Sequence, residues 1–210
     1  GDVIFSPDRL DETFLERLLT KCSDRLSLLA APSTLDSTCD FRESTFDALF
    51  DLLQQGVPYV ALDLPHTWTA WTKRVLERAD DVVITATPDL ASLRNAKLFV
   101  DQLTQMRPND RQPFFVLNQV GMPKRPEISV ADFCDPLGID PAAVIPFNPE
   151  LFGTAANNGQ MIAEFDPKSP VVGHFTELSA ILSGRKTGLK NKSESGLAPL
   201  LAKLGLGNKK

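Results

Sequence analysis

Residues 59–63 read Tyr-Val-Ala-Leu-Asp, an apolar run closed by a carboxylate. A buried strand that delivers one Asp at its carboxyl end can organise a hydrated Mg²⁺ or orient an attacking water beside a nucleotide's phosphates. Folds that do this ordinarily carry a G-x-x-x-x-G-K-[ST] loop upstream, where backbone N–H groups and a lysine cradle the phosphates. Here the first 58 residues hold glycine only at Gly1 and Gly56. Together the two features predict the later part of a nucleotide-binding domain whose phosphate-gripping start lies before residue 1. Three more apolar runs end in polar residues: Thr85 to Asp89, Asn118 with Gln119, and Pro146 to Pro149. Ligands of open α/β sheets sit at the carboxyl ends of strands, so these exits are the positions to weigh. Singly, each has a plainer reading. Asp63 and Asp89 serve as helix caps or turn residues, Asn118 as a turn former, and the 146–149 segment as a proline-stiffened loop. Four polar exits in order along one sheet edge make a stronger signal than any one of them.

The elements that must carry these residues alternate. Apolar runs at 26–31, 59–63, 81–87, 114–119 and 144–147 read as strands. Helical periodicity runs through Phe46, Leu49, Phe50 and Leu53 over 41–55 and stops at Gly56. Further helices are expected over 69–78, 89–106 and 175–182, the last ended by Gly184. Near-continuous apolar strands between helices predict an α/β fold, a mostly parallel sheet covered by helices on both faces. Residues 1–184 form the body of this reading.

Composition limits the function classes. Apolar residues at 42% and charged residues at 23% are ordinary for a soluble globular chain. No apolar run approaches the length of a membrane span. Cys22, Cys39 and Cys134 are scattered and show no metal spacing, which fits reduced thiols in a cytoplasmic protein. His66 and His174 are too isolated to suggest a metal site. Residues 185–210 hold seven basic residues against one acid, Glu194, so the net charge of −5 divides into +6 there and −11 in the body. An acidic body speaks against nucleic-acid binding and makes the tail the contact element.

The strand exits carry a resemblance. Residues 62–68, 88–95, 117–128 and 145–162 resemble the MinD/ParA class of deviant P-loop ATPases, and within it the CpaE/TadZ family of Flp/Tad pilus assembly. The string from Gly153 to Ile162 is specific to the pilus branch, whereas the acid-ended strand is generic to the class. The resemblance covers the order of elements to about residue 184. It implies a P-loop NTPase fold of ParA/MinD type, with the first strand and the P-loop before residue 1.

The resemblance also implies roles. Asp63 matches the Walker B acid that organises the hydrated Mg²⁺, and residues 64–66, with Pro65 and His66, match the start of switch II. Asn118 matches the residue that reads the adenine edge, a task for an amide that both donates and accepts. Pro146 and Phe147 match the segment that closes over the base. Residues 88–94 match a segment near a nucleotide-dependent dimer interface, which makes Arg94 an interface candidate. The cofactors implied are ATP and Mg²⁺. The implied partners are a second copy, the pilus assembly and secretion machinery, and polar localisation proteins. The implied location is the cytoplasm, at the cell pole or peripheral to the inner membrane. Hydrolysis is expected of the intact parent, and the 210 residues alone are expected to be inactive. A MinD/ParA-type positioning or partitioning ATPase is one alternative, and a non-catalytic localisation scaffold is another.

The tail has its own pattern. Residues 185–196 read as a flexible basic linker. In 197–210, Leu197, Leu200, Leu201 and Leu204 fall on one helical face, with Pro199 in the first turn and lysines around it. Such a segment fits peripheral membrane contact or docking on a protein.

Overall fold

A computed structural model of the chain describes residues 11–30 and 43–185. In chain order the elements are α1 (Glu12–Leu18), β1 (Thr20–Ser23), β2 (Leu26–Leu28), α2 (Glu43–Gly56), α3 (Ala70–Arg78), β3 (Val83–Ala86) and α4 (Leu90–Met106). There follow β4 (Phe114–Val120), α5 (Val130–Cys134), β5 (Pro141–Pro146), α6 (Pro149–Asn157), α7 (Ile162–Phe165) and α8 (Pro170–Leu182). They divide into two compact units. One runs to Val82 and includes Leu103–Asp110, and the other comprises Val83–Gln102 and the residues from Arg111 on.

The second unit is built on a parallel sheet in the order β3-β4-β5. Its central strand β4 places Phe115, Val116 and Leu117 in succession among the buried residues. Successive strand side chains point to opposite faces, so three in a row require cover on both. Val116 joins Ala143 and Ile145 of β5, Leu151 of α6 and Val171 of α8 in one core, with Phe152, Ile162 and Leu178 packed against it. On the other face Phe115 stacks on Phe133 of α5, ring centroids 5.4 Å apart. The expected α/β layering therefore holds. The β4–β5 ladder contains two irregularities. Phe115 and Val116 pair with Pro141 and Ala143, while Leu117 and Val120 pair with Val144 and Pro146. Each strand thus carries one extra step, and the two offset one another.

Local chemistry sets the helix starts in this unit. Asp89 accepts from the Ser92 N–H at the start of α4 (2.9 Å), Ser129 accepts from the Asp132 N–H at α5, and Asn148 accepts from the Leu151 N–H at α6. Pro149 and Pro170 open α6 and α8, where a missing N–H costs nothing. Helix α8 begins five residues earlier than its periodicity suggests, and α5, α6 and α7 are too short to carry a periodic signal.

In the first unit, α2 and α3 are joined by charge. Arg78 donates to Asp47 at 2.5 Å and to Asp51 at 2.8 Å, and Arg74 reaches Asp47 at 3.4 Å. Arg107 donates from Nη1 to the Leu76 carbonyl at 3.0 Å, taking up an acceptor left over in the last turn of α3.

Two strand expectations are corrected here. Residues 59–63 form no strand: the segment bears no ladder bond, and Tyr59, Val60 and Leu62 are exposed. An apolar run becomes a strand only when a neighbour takes its N–H and C=O groups, and among the described residues none does. The run at 26–31 is shorter than expected and pairs antiparallel with β1, Thr20 opposite Leu28, in a hairpin whose residues are all exposed. Among the described residues no helix is long and apolar enough to cross a membrane. The linker beyond Arg185 and the leucine-faced tail lie outside the described residues.

Candidate functional site

The carboxyl ends of β3, β4 and β5 converge through their loops. At the end of β4, Asn118 is half-buried and its Oδ1 accepts from the Gln119 N–H at 2.9 Å, a bond that does not engage the Nδ2 donors. Gln119 has φ 56°, a left-handed conformation that costs a residue with a Cβ about 1–2 kcal/mol. It occupies the bulge of β4, and bulges of this kind re-aim side chains beside binding sites. Gly121 follows at φ 84°, where the lack of a Cβ is needed, and Lys124 is left-handed at φ 64°.

The loop after β4 is fastened by one acid and one base. The Glu127 carboxylate accepts from the Gly121 N–H at 2.9 and 3.1 Å and from the Met122 N–H at 2.9 Å. Arg125 Nη2 donates to the Gln119 carbonyl and, at 2.9 Å, to Glu127. The Gly121 N–H and then the Arg125 guanidinium hold the Glu127 carboxyl below the usual glutamate range, against a smaller opposing effect of burial.

The neighbouring exit belongs to β5. Val120 pairs with Pro146, and the Phe147 N–H donates to the Val120 carbonyl at 2.8 Å. Asn118, Pro146 and Phe147 are thereby brought to adjacent strand ends, with Phe147 half-buried and Pro146 exposed. The β3 exit is closed by Asp89, whose carboxylate accepts from Thr87 Oγ1 at 2.5 Å, the Ser92 N–H at 2.9 Å and Ser92 Oγ at 3.1 Å. The Thr87 hydroxyl, followed by the Ser92 N–H, holds the Asp89 carboxyl below its ordinary value. The Ile128 N–H donates to the carbonyl of buried Pro88 at 2.9 Å, tying the β4 loop to the β3 exit. Arg94 is exposed on α4, with Leu90 and Leu98 a turn to either side at 73% and 59% exposure.

Asp63, Pro65 and His66 belong to the first unit and lie exposed on the loop before α3. That loop is anchored just downstream, where Thr72 Oγ1 donates to the Thr67 carbonyl at 3.2 Å and Thr69 caps α3. Among the described residues no three His, Cys, Asp or Glu gather as a metal cluster. A lone carboxylate still fits Mg²⁺, which keeps most of its waters and takes one or two protein carboxylates beside the phosphates.

An amide with free donors, exposed backbone at a bulge and a half-buried aromatic ring suit the edge and face of a heterocyclic base. The sequence singled out Asn118, Pro146 and Phe147, and the structure places them at the ends of adjacent strands. The sequence did not single out Gln119, whose N–H donates to Asn118, or Arg125 and Glu127, which fasten the loop that follows. The available signal was Gly121 with two prolines bracketing Lys124 and Arg125, and an acid directly after them.

No family model matches the chain. It is 27% identical over 149 residues to the septum site-determining protein MinD of Bacillus subtilis (strain 168), an alignment covering 70% of this chain and 54% of that protein. The chain thus spans about half the length of the curated relative it matches. A crystal structure of a ParA family ATPase from Chlorobium tepidum TLS superposes with TM-score 0.68 at 23% identity, covering 86% of this chain and 73% of that one. The MinD of Pyrococcus horikoshii OT3, complexed with Mg-ADP, superposes with TM-score 0.69 at 14% identity, covering 86% and 72%. The fold is therefore of the ParA/MinD type, and the sequence is similar to that of MinD.

Proposed function

We propose that this chain carries the base-recognition edge of a MinD/ParA-type ATPase that acts as a nucleotide-dependent dimerisation switch in Flp/Tad pilus assembly at the cell pole. The observation that carries the reading is the junction of Asn118 with Pro146 and Phe147, made by the Val120–Phe147 hydrogen bond at the ends of adjacent strands. Asn118 would offer both donor and acceptor to the adenine edge, and Phe147 would cover its face. Asp63 would hold the hydrated Mg²⁺, which neutralises phosphate charge when bound. Pro65 and His66 would form the start of the switch, and Arg94 would face a second copy. The pilus assignment is supported by the string from Gly153 to Ile162, and the acidic body supports it over a DNA-partitioning role. The basic tail would supply peripheral membrane contact or dock on a pilus protein.

The second reading is a localisation scaffold that keeps the fold without hydrolysis. The exposed segment ending in Asp63, which pairs with no strand among the described residues, favours it, because an acid that organises a metal ordinarily stands on a fixed strand. The test of the main reading is Asn118→Ala in the intact protein. The ATP-to-GTP affinity ratio should fall about tenfold, the equivalent of about 1.4 kcal/mol. An unchanged ratio would remove Asn118 from base recognition.

A further inference from the structure

We propose that Arg125 and Glu127 form a brace that sets the specificity of the site by fixing how Asn118 is presented. The proposal rests on the base-recognition reading of Asn118. Three observations carry it. The β4 loop holds two side-chain-bearing residues in left-handed conformations, Gln119 at φ 56° and Lys124 at φ 64°. Such conformations persist only where surrounding contacts over-determine them, and they concentrate at binding sites. The contacts that do so here converge on one carboxylate and one guanidinium. Glu127 takes the N–H groups of Gly121 and Met122, and Arg125 takes the Gln119 carbonyl while pairing with Glu127.

The Arg125 side chain is constrained further. Its Nε is buried without a hydrogen-bond partner, and both side chains of the pair are only 20% exposed. An unpaired buried N–H is costly, so the Nη2 contacts must outweigh it. A surface ion pair with free rotamers would leave that N–H to water. The brace grips three successive peptide units, from the Gln119 carbonyl to the Met122 N–H, and leaves the Asn118 amide itself alone. Asn118 Oδ1 is meanwhile occupied by the Gln119 N–H, whose direction is set by the left-handed turn that Arg125 holds from its carbonyl side. Arg125 and Glu127 are therefore positioning residues: released, Gln119 returns toward ordinary backbone angles and the Asn118 amide turns with it.

The experiment uses the intact protein and a fluorescent ATP analogue displaced by ATP and by GTP, with amide hydrogen exchange over 114–128. Glu127→Gln and Arg125→Met should each lower the ATP-to-GTP ratio by up to about tenfold. Combining either with Asn118→Ala should lower it no further than Asn118→Ala alone, the non-additivity expected when one residue acts through another. Exchange at 119–122 should quicken while 114–117 stays protected, which separates a loosened loop from a lost fold. Glu127→Asp, which keeps the charge, should recover part of the ratio. A parental ratio in Glu127→Gln alongside a lowered one in Asn118→Ala overturns the brace and leaves base recognition standing. Additive losses in the double variants overturn positioning through Asn118. An unchanged ratio in Asn118→Ala overturns both readings together.

Discussion

Removing the Asp89 carboxylate should cost the chain about 2 kcal/mol, less than a count of its bonds suggests. Asp89 takes three donors, the Thr87 hydroxyl, the Ser92 N–H and the Ser92 hydroxyl. Loss of a helix cap costs about 1 kcal/mol. Bonds from two hydroxyls to an ionised group would add roughly 1.5–3 kcal/mol each if the partners were stranded. They are not stranded, because Thr87 Oγ1 and Ser92 Oγ lie 2.9 Å apart and can bond to each other. Only about 0.5 kcal/mol each is then lost, which gives the total of about 2 kcal/mol for Asp89→Ala. Asp89→Asn keeps the acceptor for the Ser92 N–H and should cost about 1 kcal/mol. The pH dependence follows from the lowered carboxyl. A depressed acid contributes stability that is complete above its unfolded value, about 3.9, and is lost as pH falls through the still lower folded value. The gap between parent and Asp89→Asn should be constant from about pH 5 to 8 and close below about pH 3.9. Equilibrium urea unfolding followed by circular dichroism measures it as a shift in midpoint at unchanged slope. An alanine variant within about 0.5 kcal/mol of the parent, or a gap that widens in acid, would refute the reasoning.

Two other expectations concern the core and the metal. Phe115, fully buried and stacked on Phe133, should lose about 3–5 kcal/mol on Phe115→Ala and much less on Phe115→Leu; equal losses in urea unfolding would show that refilling the site with aliphatic bulk recovers nothing and would refute the cavity argument. In the intact protein Asp63→Ala should cut Mg²⁺-dependent ATP hydrolysis at least about tenfold while leaving nucleotide affinity within a few-fold, and parental turnover would remove Asp63 from the metal.

How much of this was legible in the sequence depended on what each feature requires. Strand β4 was readable because Phe114 to Leu117 is apolar without interruption, and a strand buried on both faces must be. Helix α4 was readable from Pro88-Asp89 at its start and Pro108 beyond its end. Residues 59–63 have the same apolar character as β4, and the pattern does not say whether a partner strand is there to pair with them. Hairpin β1–β2 was missed because Thr20-Lys21-Cys22-Ser23 has neither alternation nor a glycine turn. At the candidate site, residue types at the strand exits drew attention to Asn118 and Phe147. The brace depended on a backbone turn at Gln119, and a glutamine gives no sign of adopting a left-handed conformation.

The two offsetting steps in the β4–β5 ladder limit how sequence length can drift. Val120 lies five positions after Phe115, and Pro146 five positions after Pro141, although neither strand pairs regularly along the way. Loss of one residue from β4 alone would leave the extra step on β5 uncompensated and turn every later side chain to the opposite face. The Asn118 amide and the loop that braces it would then project from the wrong side of the sheet. Single-residue gaps between 115 and 120 should therefore be rare among descendants of this fold unless matched by a gap between 141 and 146. The turn at 107–112, which leads into β4 from α4, is exposed over most of its length and can absorb insertions without touching that count.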